Sequence, residues 1–183
     1  IDSKKFFQAK EAQPIMYNYD RIKETNSVFI CEGEMDSLSW EVAGVDFHTS
    51  VSQGAPNVGD KNIDKKLECL NTCAEVFENK KTIYIAVDND ENGRFLEKEL
   101  VRRFGAERCL FVDFSPYKDA NEVLVKEGVK GLQERAKKAS RPKVDGIFTV
   151  DDITDSMLDG YRNGQERGTT TYIPEVDRAW TWR

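Results

Sequence analysis

The chain has 183 residues, 39% hydrophobic and 33% charged, with a formal net charge of −6. That length buries one good core and leaves little for a second full domain, and no apolar run is long enough for a membrane span, so a cytosolic protein with no membrane partner is expected. The acidic balance runs against a bare nucleic-acid-binding surface, which is normally basic, unless bound metal cations reverse it locally.

The opening Ile1-Asp2-Ser3-Lys4-Lys5 precedes no apolar stretch and is not a signal peptide; with no start methionine, neighbouring segments are expected on both sides. The first buried strand is predicted at 28–31, where Val28-Phe29-Ile30-Cys31 runs straight into Glu32-Gly33-Glu34-Met35-Asp36. A helix over 36–43 stops at Gly44, and a second strand follows at 45–51. Ile63, Leu67, Leu70, Ala74 and Phe77 recur at helical spacing. The third strand, 82–87, ends on Asp88-Asn89-Asp90, and a helix over 91–104 places Phe95, Leu96, Leu100 and Phe104 on its core stripe before Gly105.

A fourth strand at 109–114 precedes Lys118-Asp119-Ala120-Asn121-Glu122, in which Asp119 and Glu122 have the spacing of a capping box. This alternation predicts an α/β fold: a mostly parallel four-stranded sheet flanked by helices and joined by right-handed crossovers. Arg135, Lys137, Lys138, Arg141 and Lys143 form a basic run, read as a solvated helix end. Past residue 143, Gly160, Gly164 and Gly168 punctuate a polar linker ahead of Thr169-Thr170-Thr171. One short helix at 150–161 sets Ile153, Met157, Leu158 and Tyr161 on a single face suited to docking.

Cys31, Cys69, Cys73 and Cys109 lack the paired spacing of a zinc ribbon, so no zinc is expected and buried thiols are. His48, the single histidine, follows Phe47 in an apolar segment and is expected to be structural and hydrogen-bonded.

The chemistry concentrates in carboxylates at strand ends, where ligands bind in open parallel sheets. Glutamate is a poor helix N-cap, which favours function for Glu32, whereas Asp36 is read as the start of the next helix. Asp88 and Asp90, two residues apart, leave their strand toward the same side. If that strand neighbours the first in parallel, Glu32, Asp88 and Asp90 meet at one edge, and such hard oxygen donors suit magnesium or manganese. The opposing view is that aspartates are common in turns. A sharper competitor is calcium, because residues 88–93 with Glu99 satisfy the EF-hand spacing. That loop needs a helix before it, however, and 82–87 is strand-like, so Glu99 is expected on the solvent face of its helix.

These residues resemble the Toprim family, with its strand-terminal glutamate, later Asp-x-Asp and further acid: Glu32, Asp88 with Asp90, and Asp119. Within it the likeness is to phage-type and Twinkle-like DNA primase-helicases. It rests on Glu32-Gly33-Glu34-Met35-Asp36, Val51-Ser52-Gln53-Gly54-Ala55-Pro56-Asn57, residues 88–93 and Lys118-Asp119-Ala120-Asn121-Glu122. Residues 172–182, with Trp180 and Trp182, resemble the lead-in to a RecA-like helicase domain. No Gly-x-x-x-x-Gly-Lys-Ser/Thr loop occurs, so P-loop ATP binding is absent from this stretch.

The resemblance implies a Toprim, Rossmann-like fold over 25–143, a lead-in from an upstream primase subdomain at 1–24, and a linker to a helicase domain at 144–183. It implies metal-dependent nucleotidyl transfer in RNA primer synthesis. Glu32, Asp88 and Asp90 would be catalytic, joined by Asp119 as metal ligands; Lys118 and Asn57 would contact phosphate, and Gly33 and Asp36 would support the site. The implied partners are a single-stranded DNA template, ribonucleoside triphosphates and the RNA primer. A ring-forming homo-oligomer in the cytoplasm of a bacterial or phage-infected cell is expected. The alternatives are a Toprim nuclease or topoisomerase part and a non-catalytic DNA-binding or assembly domain.

Overall fold

The computed structural model describes residues 9–142, 150–164 and 170–179. The opening residues 1–5, Lys143, Gly168, Thr169 and residues 180–182, all used above, lie outside the described residues. In chain order the elements of the first unit, which ends at Pro142, are α1 (Tyr19–Ile22), β1 (Ser27–Cys31), α2 (Glu34–Val42), β2 (His48–Ser50), α3 (Ile63–Lys66), α4 (Glu68–Thr72), α5 (Ala74–Glu78), β3 (Thr82–Ala86), α6 (Glu91–Phe104), β4 (Cys109–Phe111) and α7 (Ala120–Lys137), the last broken at Gly128.

The strands form one parallel sheet in the order β2-β1-β3-β4. Cys31 at the end of β1 pairs with Ala86 at the end of β3, so the two strands finish level with each other. The two central strands, β1 and β3, are largely apolar because both faces are covered, whereas β2 buries the polar residues His48, Thr49 and Ser50. Val28 and Ile30 of β1 join Ile83 and Ile85 of β3 in one core with α4, α5 and α6, through Leu70, Phe77, Leu96 and Leu100. Phe29, Cys31 and Ala86 point the other way, onto Trp40 of α2 and Ala120, Val123 and Leu132 of α7. Phe29 also stacks on its cross-strand neighbour Tyr84, with ring centroids 4.2 Å apart. Two layers of helix around the sheet give the expected α/β fold.

The strands are shorter than the apolar runs. Only His48–Ser50 forms β2, yet Phe47 O accepts from Phe29 N and Val51 N donates to Cys31 O, so the flanks stay tied to β1. In the same way β4 ends at Phe111, while Val112 N still donates to Ile85 O. The helical stripe from Ile63 to Phe77 is three short helices, interrupted at Leu67 and Cys73. Both interruptions are buried, and Cys73 Sγ accepts a hydrogen bond from Met16 N there. All four cysteines are free and buried. His48 is buried, with Ser37 Oγ and Glu41 Oε2 each 2.6 Å from its ring nitrogens, which is the structural role read from its surroundings.

The second unit contains α8 (Val150–Asn163) and α9 (Pro174–Ala179). Met157 and Tyr161 of α8 are exposed. Among the described residues no helix is long and apolar enough to cross a membrane.

Candidate functional site

The strand order decides where a ligand crevice opens. From β1 the chain passes to β2 on one side, and β3 lies on the other, so the connections diverge above the C-terminal ends of β1 and β3. Ligands bind at that kind of switch point in open α/β sheets. Glu32 directly follows β1, and Asp88 is the second residue past β3. A pocket there is lined by Glu32, Asp36, Ser52, Gln53, Gly54 and Asp88, among others.

Glu32 sits under the loop that follows β2. The Ala55 N–H donates to its carboxylate. Gly54 takes a positive φ of 70°, a conformation glycine adopts without strain, and this brings the loop over Glu32. The loop is fastened to α6 by Val58 N donating to Asn92 Oδ1 at 3.3 Å and by Asn92 Nδ2 at 3.5 Å from Asn57 Oδ1. Asn57 is therefore engaged with α6. Glu32 Oε2 is buried and has no hydrogen-bond partner. Burial, reinforced by Asp88 and Asp90 and opposed by the Ala55 N–H and Lys118, pushes Glu32 up to about 7.

Asp88 is only 11% exposed, and burial raises its carboxyl above the usual range despite a cation beside it. That cation is the Lys118 ammonium, 2.8 Å from Asp88 Oδ2 and 3.6 Å from Asp90 Oδ2. The hydrogen bond to Asp88 holds Lys118 charged well above the ordinary lysine range. Asp90 and Asp119 each cap a helix: Asp90 Oδ1 accepts from Gly93 N at 2.9 Å, and Asp119 Oδ1 from Glu122 N at 2.7 Å. Glu122 reaches back to Lys118 N at 2.8 Å, one residue before the cap.

Two sequence expectations need correction. Asp36 does not begin α2, which is capped by Gly33; its Oδ1 instead accepts the backbone N–H of Asn121 in the first turn of α7, at 3.2 Å. The nearby Asn121 Nδ2 donates to Ser39 Oγ, so α2 and α7 are tied together beside the pocket. Burial pushes Asp36 up to about 6. Glu99 is on the surface of α6 but only 16% exposed, because Arg102 and Arg103 fold over it.

Sequence reasoning missed Ser52, Gln53 and Ala55 as parts of the site, since Gly54-Ala55-Pro56 signals only a turn. It also missed a second cavity on the far side of Asp88, where Arg94 and Glu97 of α6 face Phe111 and Ser140.

Among the described residues no three acids, histidines or cysteines close into a metal cage. Magnesium does not require one: it keeps several waters and is bound through one or two carboxylates plus substrate phosphates. The donors are all hard oxygens, Glu32 Oε2 is orphaned, and Lys118 already puts a positive charge between Asp88 and Asp90. These residues fit a divalent cation.

The family model described as Toprim-like matches residues 29–124, just over half of the chain. The Twinkle homolog protein, chloroplastic/mitochondrial, of Arabidopsis thaliana is 34% identical over 194 residues, covering 98% of this chain and 27% of the relative. The Primase homolog protein of the same plant is 38% identical over 144 residues, covering 72% of this chain and 43% of the relative. The chain thus spans less than half the length of either. Among solved structures, the primase fragment of the bacteriophage T7 primase-helicase superposes with a TM-score of 0.57 at 21% identity, covering 69% of this chain and 50% of that one. The RNA polymerase domain of Mycobacterium tuberculosis primase DnaG gives a TM-score of 0.53 at 14% identity, covering 73% and 48%. At these identities the likeness is one of fold. With a matched model, a parallel sheet in the order β2-β1-β3-β4 and acids at its switch point, the chain belongs to the Toprim-like family.

Proposed function

We propose that this chain is the Toprim catalytic module of a DNA primase-helicase, performing metal-dependent nucleotidyl transfer during RNA primer synthesis. The observation that carries the proposal is the meeting of Glu32 and Asp88 at the switch point, with Asp90 held beside Asp88 through Lys118. Asp88 and Asp90 would hold magnesium or manganese. Asp119 would join them directly or through water; its cap engages Oδ1, so contact through Oδ2 is compatible. When bound, the metal supplies charge stabilisation on the triphosphate and lowers the barrier to attack by a ribose hydroxyl.

The chain's own contribution is positioning and preorganised charge. Glu32, pushed up to about 7 by burial, can change protonation near neutral pH and is placed either to ligate the metal or to take a proton from the attacking hydroxyl. Lys118 is the candidate for phosphate contact. The loop over Glu32 brings Ser52, Gln53 and Gly54 into the wall of the pocket.

The template would be single-stranded DNA, the substrates ribonucleoside triphosphates, and the product an RNA primer. We place residues 25–143 as the catalytic domain, 1–24 as a lead-in from an upstream subdomain, and 144–183 as the linker to a ring-forming helicase domain. The proposed compartment is the cytoplasm of a bacterial or phage-infected cell, and the name of the first plant relative makes an organelle the competing location.

Glu32→Gln, made in the longer protein that carries this chain, tests the assignment with radiolabelled ribonucleotides on single-stranded template. Loss of primer synthesis with an unfolding midpoint no lower than that of the parent is expected. Full synthesis by the variant removes Glu32 from the mechanism, and plasmid nicking without primer synthesis favours a Toprim nuclease.

A further inference from the structure

Lys118 carries the one ammonium found between the two aspartates among the described residues, and its surroundings suit a side chain that moves. Its backbone is held on both sides: Lys118 N donates to Glu122 Oε2 at 2.8 Å, and Lys118 O accepts from Asn89 N at 2.7 Å. The side chain beyond that fixed point is 54% exposed, so leaving the acids takes the ammonium into water without a desolvation penalty. Asp88, by contrast, is nearly buried. Without a cation its charge would face those of Asp90 and Glu32, both of which act on it or are acted on by it electrostatically.

The ammonium engages Asp88 Oδ2, an oxygen a divalent ion would use. A magnesium-sized ion binds carboxylate oxygen at about 2.0–2.1 Å. Two cations on one oxygen at such distances repel strongly in a partly buried site.

We propose that Lys118 is an exchangeable internal countercation, which holds Asp88 and Asp90 together before a divalent ion binds and is displaced by that ion toward the triphosphate. The inference rests on the metal-site reading of these acids given above. Charge explains the exchange: the divalent ion replaces one positive charge with two, and the triphosphate brings the excess negative charge that the released ammonium then meets. Lysine suits this better than arginine, being a compact point charge on a flexible stem. Metal binding alone is thereby weakened, and metal binding with a triphosphate present is strengthened. The site would load its metal together with its nucleotide.

The test is Mn2+ binding to the 183-residue chain, followed by electron paramagnetic resonance and calorimetry, with no turnover required. Lys118→Gln is expected to tighten Mn2+ binding by about 5- to 10-fold in the absence of nucleotide. It is also expected to lose most of the further tightening that a non-hydrolysable ribonucleoside triphosphate gives the unsubstituted chain. Arg94→Gln is the control for a general loss of positive charge, since the Arg94 guanidinium bonds Asn89, between the two acids, and neither acid directly. It is expected to change Mn2+ affinity less than twofold.

Unchanged or weaker Mn2+ binding by Lys118→Gln overturns the displacement, as does an equal gain in Arg94→Gln. Failure of the underlying metal-site reading looks different: no saturable Mn2+ binding by either chain, or binding untouched by Asp88→Asn, overturns both.

Discussion

A Cβ placed on Gly93 would lie 1.9 Å from the backbone oxygen of Asp88. The first turn of α6 therefore rests directly on the peptide that carries the candidate metal ligand, and only a hydrogen at residue 93 permits that approach. Gly93→Ala is expected to destabilise the chain by about 2–4 kcal/mol, because backbone rather than a flexible side chain must give way. Urea unfolding measures this; a variant as stable as the parent would show that the approach is looser than described.

Asp90 has two separable roles. Its Oδ1 caps α6 through Gly93 N, and its Oδ2 faces Lys118. Asparagine keeps a capping oxygen and loses the charge, whereas alanine loses both. Asp90→Asn is expected to unfold within about 0.5 kcal/mol of the parent and Asp90→Ala about 1 kcal/mol lower, while both weaken Mn2+ binding. Paired denaturation and metal titrations distinguish the roles, and equal stability of the two variants would remove the cap.

Glu32 and Asp36 make stability depend on pH. Burial raises Glu32 from 4.5 to about 7 and Asp36 from 3.8 to about 6, so the folded chain holds these protons more tightly than the unfolded chain. Their contribution is fully present below the unfolded values and is lost as pH rises through about 6 to 7. The Glu32 change alone corresponds to about 3 kcal/mol at full burial, and to about 1 kcal/mol once solvent screening of this partly exposed group is allowed for. Without divalent ions, the parent is expected to lose stability between pH 5 and pH 8, roughly in that amount, and Glu32→Gln to lose less. Urea midpoints at the two pH values decide it; a parallel fall in both proteins would sink the assignment.

Asp36 ties α2 to α7 through the Asn121 N–H. Asp36→Ala leaves that donor without its acceptor and is expected to destabilise the chain by about 1–2 kcal/mol, with Asp36→Asn milder because it retains an oxygen. Hydrogen exchange at the Asn121 amide reads the bond directly. Unchanged protection in the alanine variant would mean the amide is held some other way.

Much of the site was legible in the sequence. The strands that lead into Glu32 and Asp88 are visible because apolar runs meet acids abruptly, and the strand-type run ahead of residues 88–99 is β3 in the structure. What misled were residues whose partners are distant in the chain. Asp36 reads as a helix start, yet its hydrogen-bond donor is Asn121; Glu99 reads as a solvated side chain, yet two arginines cover it. The stripe from Ile63 to Phe77 has helical spacing throughout, and nothing local to it announces the interruptions at Leu67 and Cys73.

The sequence by itself determined where the four strands lie in the chain, the apolar character of β1 and β3, and the acids that follow them, since each follows from side-chain pattern over a few residues. Only the tertiary structure decided that β1 lies beside β3, that the loop at Gly54 and Ala55 closes over Glu32, and that Lys118 reaches Asp88. Parallel neighbours are joined by long crossovers, so their order is set by packing between residues far apart in the chain, and with it the place where the carboxylates meet.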